Sequence, residues 1–332
     1  MTAAAYVATV QRRLAGFSRR SRAAAETAVA RAVLPGGWRC GRALRTVTDI
    51  AVFIVHGPHG QDAVLKVTAT KSGTAVLRRE RDVLSQLGSD EQLGEWRTVL
   101  PALLDAGDAG PGAFLLTNRL PGMDGRDLSR AAASRLTLAM ADAIAPLHSR
   151  TRVPRRVDEE LLDRWVDQPA GRIRAALPVG SAIGRLAGTL RADLAGRLLT
   201  LGWAHGDLHP GNLLVSADGR VTGIVDWGGA CEQDLPAADL AFWLLAVGAP
   251  GQPRELGQRV ADRLSSGRFW TPAENRLLDS AAAGGLAAGR TLLLMTWLRH
   301  VTSNLAKSER YASNPLWLRW NVIPVLRQVA HE

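Results

Sequence analysis

Of the chain's 41 basic residues only three are lysine (66, 71 and 307), and of its 332 residues only two are cysteine, Cys40 and Cys231. Two cysteines allow one disulfide at most, and neither stands in a metal-ligand spacing, so a disulfide framework and a thiolate zinc site are excluded. The expectation is two buried thiols. No run of about 20 apolar residues exists, and the most apolar stretch, 281–298, is broken by Arg290, so no membrane span is expected. The first residues carry their arginines after a short apolar segment, the reverse of a secretory signal, which makes a cytoplasmic location the expectation. There are no internal repeats and no low-complexity tract beyond alanine enrichment. Where arginine serves almost every cationic purpose, a lysine inside an apolar run needs a reason.

What is there is 46% hydrophobic and 22% charged, a composition that suits a soluble globular chain with two lobes. The net charge of +10 is unevenly spread: residues 1–45 hold nine arginines against a single acid, Glu26. That describes a basic helical arm over 1–36, with a solvated face as the plain reading and an acidic peptide or protein partner as the sharper one. Nucleic acid is disfavoured, since the basic residues are not interleaved with aromatics.

Along the chain, 38–47 reads as a strand, and 51–55 and 62–69 form a hairpin around a Gly/Pro turn. Apolar residues at 76, 77, 83, 84 and 87 have helical spacing, with Gly88 as the stop and Glu80 on the same stripe. A second hairpin turns at 108–112. Strands dominate up to 117–122 and helices after it, so the expected domains are 37–118 and 119–332, the latter with one hairpin over 203–230. The class is α+β.

The stretch "WAHGDLHPGNLLV" (203–215) places Asp207 and Asn212 five residues apart, and "IVDW" brings Asp226. Pairing Val215 with Arg220 across the turn "SADG" returns Asp226 to the end that holds Asn212, about 10 Å apart at Cα. Two carboxylates and an amide oxygen, without thiolates, favour Mg²⁺ with phosphate over zinc. Lys66 sits between Leu65 and Val67 in a strand that reads as internal, where an unpaired ammonium is costly, and Glu80 is a carboxylate on a buried helix face. Each solves the other's problem. A buried ion pair is poor support for stability, and it makes better sense as a device that aims a cation at an anionic ligand.

With a strand lysine and a helix glutamate upstream, "HGDLHPGN" and "IVDW" resemble the aminoglycoside phosphotransferase/choline kinase-like family of the protein-kinase-like fold, over about 43–245. The resemblance implies a bilobal architecture, with a small N-terminal antiparallel sheet lobe carrying one key helix and a larger, mainly helical C-terminal lobe. It implies an ATP-dependent (or other NTP-dependent) kinase with Mg²⁺. Asp207 then looks like the catalytic base, Asn212 and Asp226 like the Mg²⁺ ligands, and Lys66 like the α/β-phosphate contact positioned by Glu80. Asn118 and Leu120 mark the hinge that would receive the adenine edge through backbone groups. His205 resembles the family's scaffold histidine, His209 borders the site, and Asp239 resembles the buried aspartate that braces the loop. One departure stands out: the loop 45–51, "RTVTDIA", has no glycine, and Thr46 and Thr48 are left to cradle phosphate.

The expected acceptor is a hydroxyl of a small metabolite or of Ser/Thr in a ribosomally made biosynthetic peptide. Two alternatives stay open: an aminoglycoside-resistance kinase, and a pseudokinase-like peptide-binding module working with a partner enzyme. After Ala230 there are nine acids against eleven arginines and lysines, an unsuitable surface for a polycation. The five acids of 158–167 argue the other way, although Asp158 to Glu160 also suit a helix N-terminus.

Overall fold

The computed structural model describes residues 26–27, 29–44, 49–109, 112–127, 133–247, 254–282, 289–307 and 310–330, and it divides into two compact units. The first comprises 1–122 with 222–229, the second 123–221 with 230–332.

In the first unit, β1 (Arg39–Leu44), β2 (Ile50–His56), β3 (Asp62–Thr68), β4 (Leu103–Ala109) and β5 (Gly112–Asn118) make one antiparallel sheet in the order β1-β2-β3-β5-β4. The two-residue period of β3 turns Ala63, Leu65 and Val67 into a core with Phe53, Val55 and Leu116, joined by Val29 and Ala30 of a helical segment that ends at residue 33. The same period puts Lys66 on the opposite face. Of the basic arm expected over 1–36, arginines 12, 13, 19, 20 and 22 lie outside the described residues. So do Thr46 and Thr48.

Helix α1 (Lys71–Ser89) starts at Thr70, whose hydroxyl accepts the Gly73 N–H at 3.0 Å. Its buried stripe is Thr74, Leu77, Glu80, Val83, Leu84 and Leu87, and each leucine or valine there contributes about 1.5–3 kcal/mol by leaving water. The helix runs through Gly88, the expected stop. A Cβ there would meet nothing within 4 Å, so the glycine forces no ending; Asp90 ends the helix and caps the next turn through the Gln92 N–H at 2.9 Å.

The sequence reading assigns the whole stretch 203–230 to the C-terminal lobe, whereas 222–229 groups with the first unit. The cause is Trp227, fully buried, which meets Trp96 edge-on at 6.0 Å and gives its backbone N–H to Glu80 Oε1 at 3.3 Å. Gly228 allows this approach, since a Cβ would stand 2.6 Å from Val76 Cγ1.

Beyond the first unit the chain forms β6 (Met123–Asp124), α2 (Ala133–Arg150), β7 (Val153–Arg156), α3 (Gln168–Ala176), α4 (Gly180–Leu194), β8 (Leu198–Ala204), β9 (Leu213–Val215), β10 (Val221–Ile224, most of it in the first unit) and β11 (Cys231–Asp234). Then come α5 (Pro236–Val247), α6 (Leu256–Ser266), α7 (Pro272–Ala282), α8 (Arg290–Lys307), α9 (Pro315–Asn321) and α10 (Ile323–Ala330). Helix dominates, but the single expected hairpin is not the only strand structure. β8 pairs antiparallel with β7 and with β11. "LLTLGWA" escaped notice because a short apolar run lacks the period that separates a buried strand from a helix. After β9 the turn closes with the Ser216 N–H on the Arg220 carbonyl at 2.9 Å, so Ser216, not Val215, stands opposite Arg220 and the register is displaced by one residue.

Helices α2, α5 and α8 pack together around Met140, Ile144, Trp243 and Trp297, all fully buried, and Trp243 Nε1 donates to Thr137 Oγ1 at 3.0 Å. Helix α6 meets Asn321 through Gly257, where a Cβ would lie 2.3 Å from Asn321 Cα. Gly257→Ala is therefore expected to destabilise the protein by roughly 1–3 kcal/mol. A lowered urea midpoint at unchanged slope is the readout, and an unmoved midpoint would contradict the contact.

Candidate active site

In the first unit, Lys66 Nζ lies 2.7 and 2.8 Å from the two Glu80 oxygens and 2.9 Å from Asp226 Oδ1. Glu80 is 2% exposed and the Asp226 side chain 46%, so the lysine bridges a buried carboxylate and an accessible one. Burial by itself would discharge Lys66, but the charges of Asp226 and Glu80 outweigh it and hold the ammonium above its ordinary range. Burial pushes the Glu80 carboxyl up, and the Lys66 charge opposes that. Asp226 adopts φ 68, a left-handed conformation that costs a non-glycine residue about 1–2 kcal/mol. Trp227 stabilises it next door, with Nε1–H on the Ile224 carbonyl at 2.7 Å. The Lys66–Glu80 pair is the one the sequence suggests. The Lys66–Asp226 bond, between residues 160 apart, was not foreseen.

Asn118 and Leu120 end this unit's strand region. Asn118 gives its N–H to the Ala102 carbonyl at 3.0 Å and accepts the Ala102 N–H on Oδ1 at 2.7 Å, so it seals the sheet edge instead of presenting that N–H to a base. Leu120 is buried.

In the second unit the loop after β8 is tied from below by Asp239 of α5, which is 2% exposed and accepts the His205 N–H at 2.6 Å, the Gly206 N–H at 2.8 Å and His148 Nε2 at 3.2 Å. Burial would raise the Asp239 carboxyl, but the His148 bond and the nearby histidine charges bring it below the usual carboxylate range. His205, fully buried, accepts the Asp207 N–H on Nδ1 at 3.3 Å. Asn212 closes the loop with Nδ2 on the Asp207 carbonyl at 2.9 Å, and the Gly211 N–H reaches His209 Nδ1 at 3.0 Å. The Asp207 backbone is thereby held on both sides.

The Asp207 carboxylate, 14% exposed, receives Lys307 Nζ on Oδ2 at 2.7 Å, with His209 Nε2 at 3.9 Å from the same oxygen. Phe242 stands between the rings of His209 (6.2 Å) and His300 (5.7 Å). Burial pushes His300 down to about 4 against the opposing pull of Asp207, so it is uncharged at neutral pH. Lys307, Phe242 and His300 were missed from sequence. The available signal was the scarcity of lysine.

The donor chemistry fits a hard cation. In the second unit, with Asn212 Nδ2 on the Asp207 carbonyl, Oδ1 is the amide end left for a cation; in the first unit, taken by itself, Asp226 has an accessible carboxylate. Among the described residues, no group of three or more His, Cys, Asp or Glu converges as a metal site. The five acids of 158–167 are engaged locally. Arg155 binds Asp158 and Glu160, Arg191 binds Glu159 and Asp167, and Asp163 accepts Gln168 Nε2 at 2.8 Å. Asp158 also caps its helix through the Leu161 N–H at 3.0 Å. Both cysteines are free thiols and half-buried rather than buried, with burial pushing the Cys40 thiol up. No helix among the described residues is long and apolar enough to cross a membrane.

Solved structures share this architecture. A thermostable mutant of aminoglycoside phosphotransferase APH(4)-Ia, in a ternary complex with ADP and hygromycin B, is similar with a TM-score of 0.56 at 15% identity, over 87% of this chain and 94% of that one. Aminoglycoside phosphotransferase APH(3'')-Id from Streptomyces rimosus ATCC10970, in complex with ADP and streptomycin, is similar with a TM-score of 0.51 at 23% identity, over 82% and 96%. At that identity the likeness defines the fold, which is the kinase-like fold of these enzymes. The model of the phosphotransferase enzyme family, APH, matches residues 45–278, and the chain belongs to that family. A protein named Uncharacterized protein YcbJ, of Bacillus subtilis (strain 168), is 31% identical over 101 residues; the match spans 30% of this chain and about a third (32%) of that protein.

Proposed function

We propose that the protein is an ATP- and Mg²⁺-dependent O-phosphotransferase acting on a hydroxyl of a small molecule that is not a polycation. The observation that carries the nucleotide half is Lys66, held by both Glu80 oxygens and by Asp226 at 2.7–2.9 Å. An ammonium so placed is preorganised for phosphate oxygens, and Glu80 keeps it oriented when Asp226 turns to a cation. Asn212 and Asp226 would hold Mg²⁺, which when bound neutralises charge on the phosphate oxygens. Leu120 marks where the chain leaves the sheet and would meet the adenine edge.

Asp207 is the base. The acceptor hydroxyl gives its proton to the Asp207 carboxylate, its oxygen bonds to the γ-phosphorus, the bond from that phosphorus to the β-γ bridging oxygen breaks, and ADP leaves. His205, Asp239 and Asn212 fix the loop so that the carboxylate needs no reorganisation at that moment. Pairing of four of the five acids at 158–167 with Arg155 and Arg191 supports an acceptor other than a polycation. Asn118 enters this reading as a structural residue.

Incubation with γ-labelled ATP, Mg²⁺ and a panel of neutral, acidic and aminoglycoside acceptors tests it. Label is expected on a non-aminoglycoside hydroxyl, and turnover of an aminoglycoside with a micromolar KM would overturn the acceptor half.

A further inference from the structure

The last two helices, α9 and α10, are apolar on both sides. Trp317, Val325 and Val329 are buried, which is the core-facing stripe that a surface helix needs. On the opposite side, at a spacing of four and then three residues, Leu316 is 53% exposed, Trp320 37% and Ile323 40%. A solvated helix face is polar there, and a row of three large apolar side chains in water marks a contact surface. Arg319 and Arg327 share that face, and both are exposed. Neither is paired with a carboxylate among the described residues, and from 311 to 330 the chain carries no aspartate or glutamate. The acids of the helices packed against this pair are engaged elsewhere. Glu255, at the start of α6, accepts Asn321 Nδ2 at 3.3 Å, Asp262 of α6 holds Arg254, and Asp193 of α4 accepts Thr291 Oγ1 at 2.6 Å.

We infer that this face rests on an anionic lipid bilayer: Leu316, Trp320 and Ile323 enter the headgroup boundary, and Arg319 and Arg327 meet lipid phosphates beside them. Helices that lie in the plane of a bilayer need no spanning length, and an exposed apolar row with basic residues beside it is the composition of such contacts. Indole suits that depth, because its ring is apolar and its N–H finds acceptors among the headgroups. Charge and area decide between the occupants. A second copy on a two-fold axis would set the same acid-free arginines against each other, and the chain's net charge of +10 would oppose its approach. That same charge draws the protein to an anionic bilayer. From Leu316 to Arg327 the row is about 16 Å long on a single helix face, far less than the roughly 800 Å² a side that a stable protein interface covers. A bilayer supplies acyl boundary and phosphate along any such row without a matching pocket. The inference does not depend on the phosphotransferase reading.

Co-sedimentation with vesicles of phosphatidylcholine alone, and of phosphatidylcholine mixed with phosphatidylglycerol, tests it. The unaltered protein is expected to bind the mixed vesicles about tenfold or more tightly than the neutral ones, and high salt should release it. Trp320→Ser should weaken that binding about tenfold, and Arg319→Gln and Arg327→Gln about fivefold each, with the urea midpoint unmoved. If Trp320→Ser fails to fold, Leu316→Ser, at the most exposed of the three apolar positions, takes its place. Trp320→Phe should keep the affinity while losing the part of the tryptophan fluorescence that brominated lipid quenches. Absence of binding to the mixed vesicles overturns the inference and leaves the face to an acidic protein. Equal binding to both kinds of vesicle overturns it too, as does binding that none of these substitutions weakens, since the contact then lies on another surface such as residues 1–45. A dimer in solution that Trp320→Ser dissociates overturns it as well and gives the face to a second copy.

Discussion

Asp207→Asn is expected to reduce kcat for phosphoryl transfer by about 10²–10⁴-fold while the unfolding midpoint stays close to that of the unaltered protein. The bonds that shape the loop use the backbone of residue 207, through its N–H on His205 and its carbonyl under Asn212, and the substitution keeps both. What it removes is the capacity to accept a proton. The ion pair with Lys307 is also lost, but that pair has one partly exposed member and belongs to a class worth about 0.2–1 kcal/mol. Single-turnover transfer measured beside urea unfolding separates the two effects. Transfer within tenfold of the unaltered rate would remove Asp207 from the mechanism.

Asp239→Ala is expected to act on stability, by about 3–5 kcal/mol, a large part of the 5–15 kcal/mol that holds a typical domain together. It strips the acceptor from two buried backbone N–H groups, of His205 and Gly206, and from His148, at a place only 2% exposed. The pH dependence has a definite sign. The folded carboxyl lies below its ordinary range, so its contribution is complete above the unfolded carboxylate pKa and is lost as pH falls through the depressed folded value. Urea unfolding at neutral pH and in acid checks both statements. A loss under 1 kcal/mol at neutral pH would mean that the loop is held by other contacts.

Much of this site was legible as local chemistry. The spacing of Asp207 and Asn212, the β-period that sets Lys66 against Leu65 and Val67, and the helical spacing that puts Glu80 among Leu77 and Leu84 are properties of neighbouring residues, and local geometry carries them into the structure. The acids of 158–167 were harder to read, because whether a carboxylate is offered to a ligand depends on its partners, and Arg191 reaches them from another helix. The strand β8 was hidden for a different reason: from Leu201 to Ala204 it is buried on both faces, and its apolar run shows no alternation.

By itself, then, the sequence determined the two chemical sets, their order and their family, since each is written in a few consecutive residues or one periodic face. Only the tertiary structure decided that Trp227 carries 222–229 into the first unit, that Asp226 bonds Lys66, and that Lys307 stands on Asp207. Those contacts join residues between 100 and 160 positions apart, and no spacing rule along the chain says which distant charges will meet when apolar faces are buried.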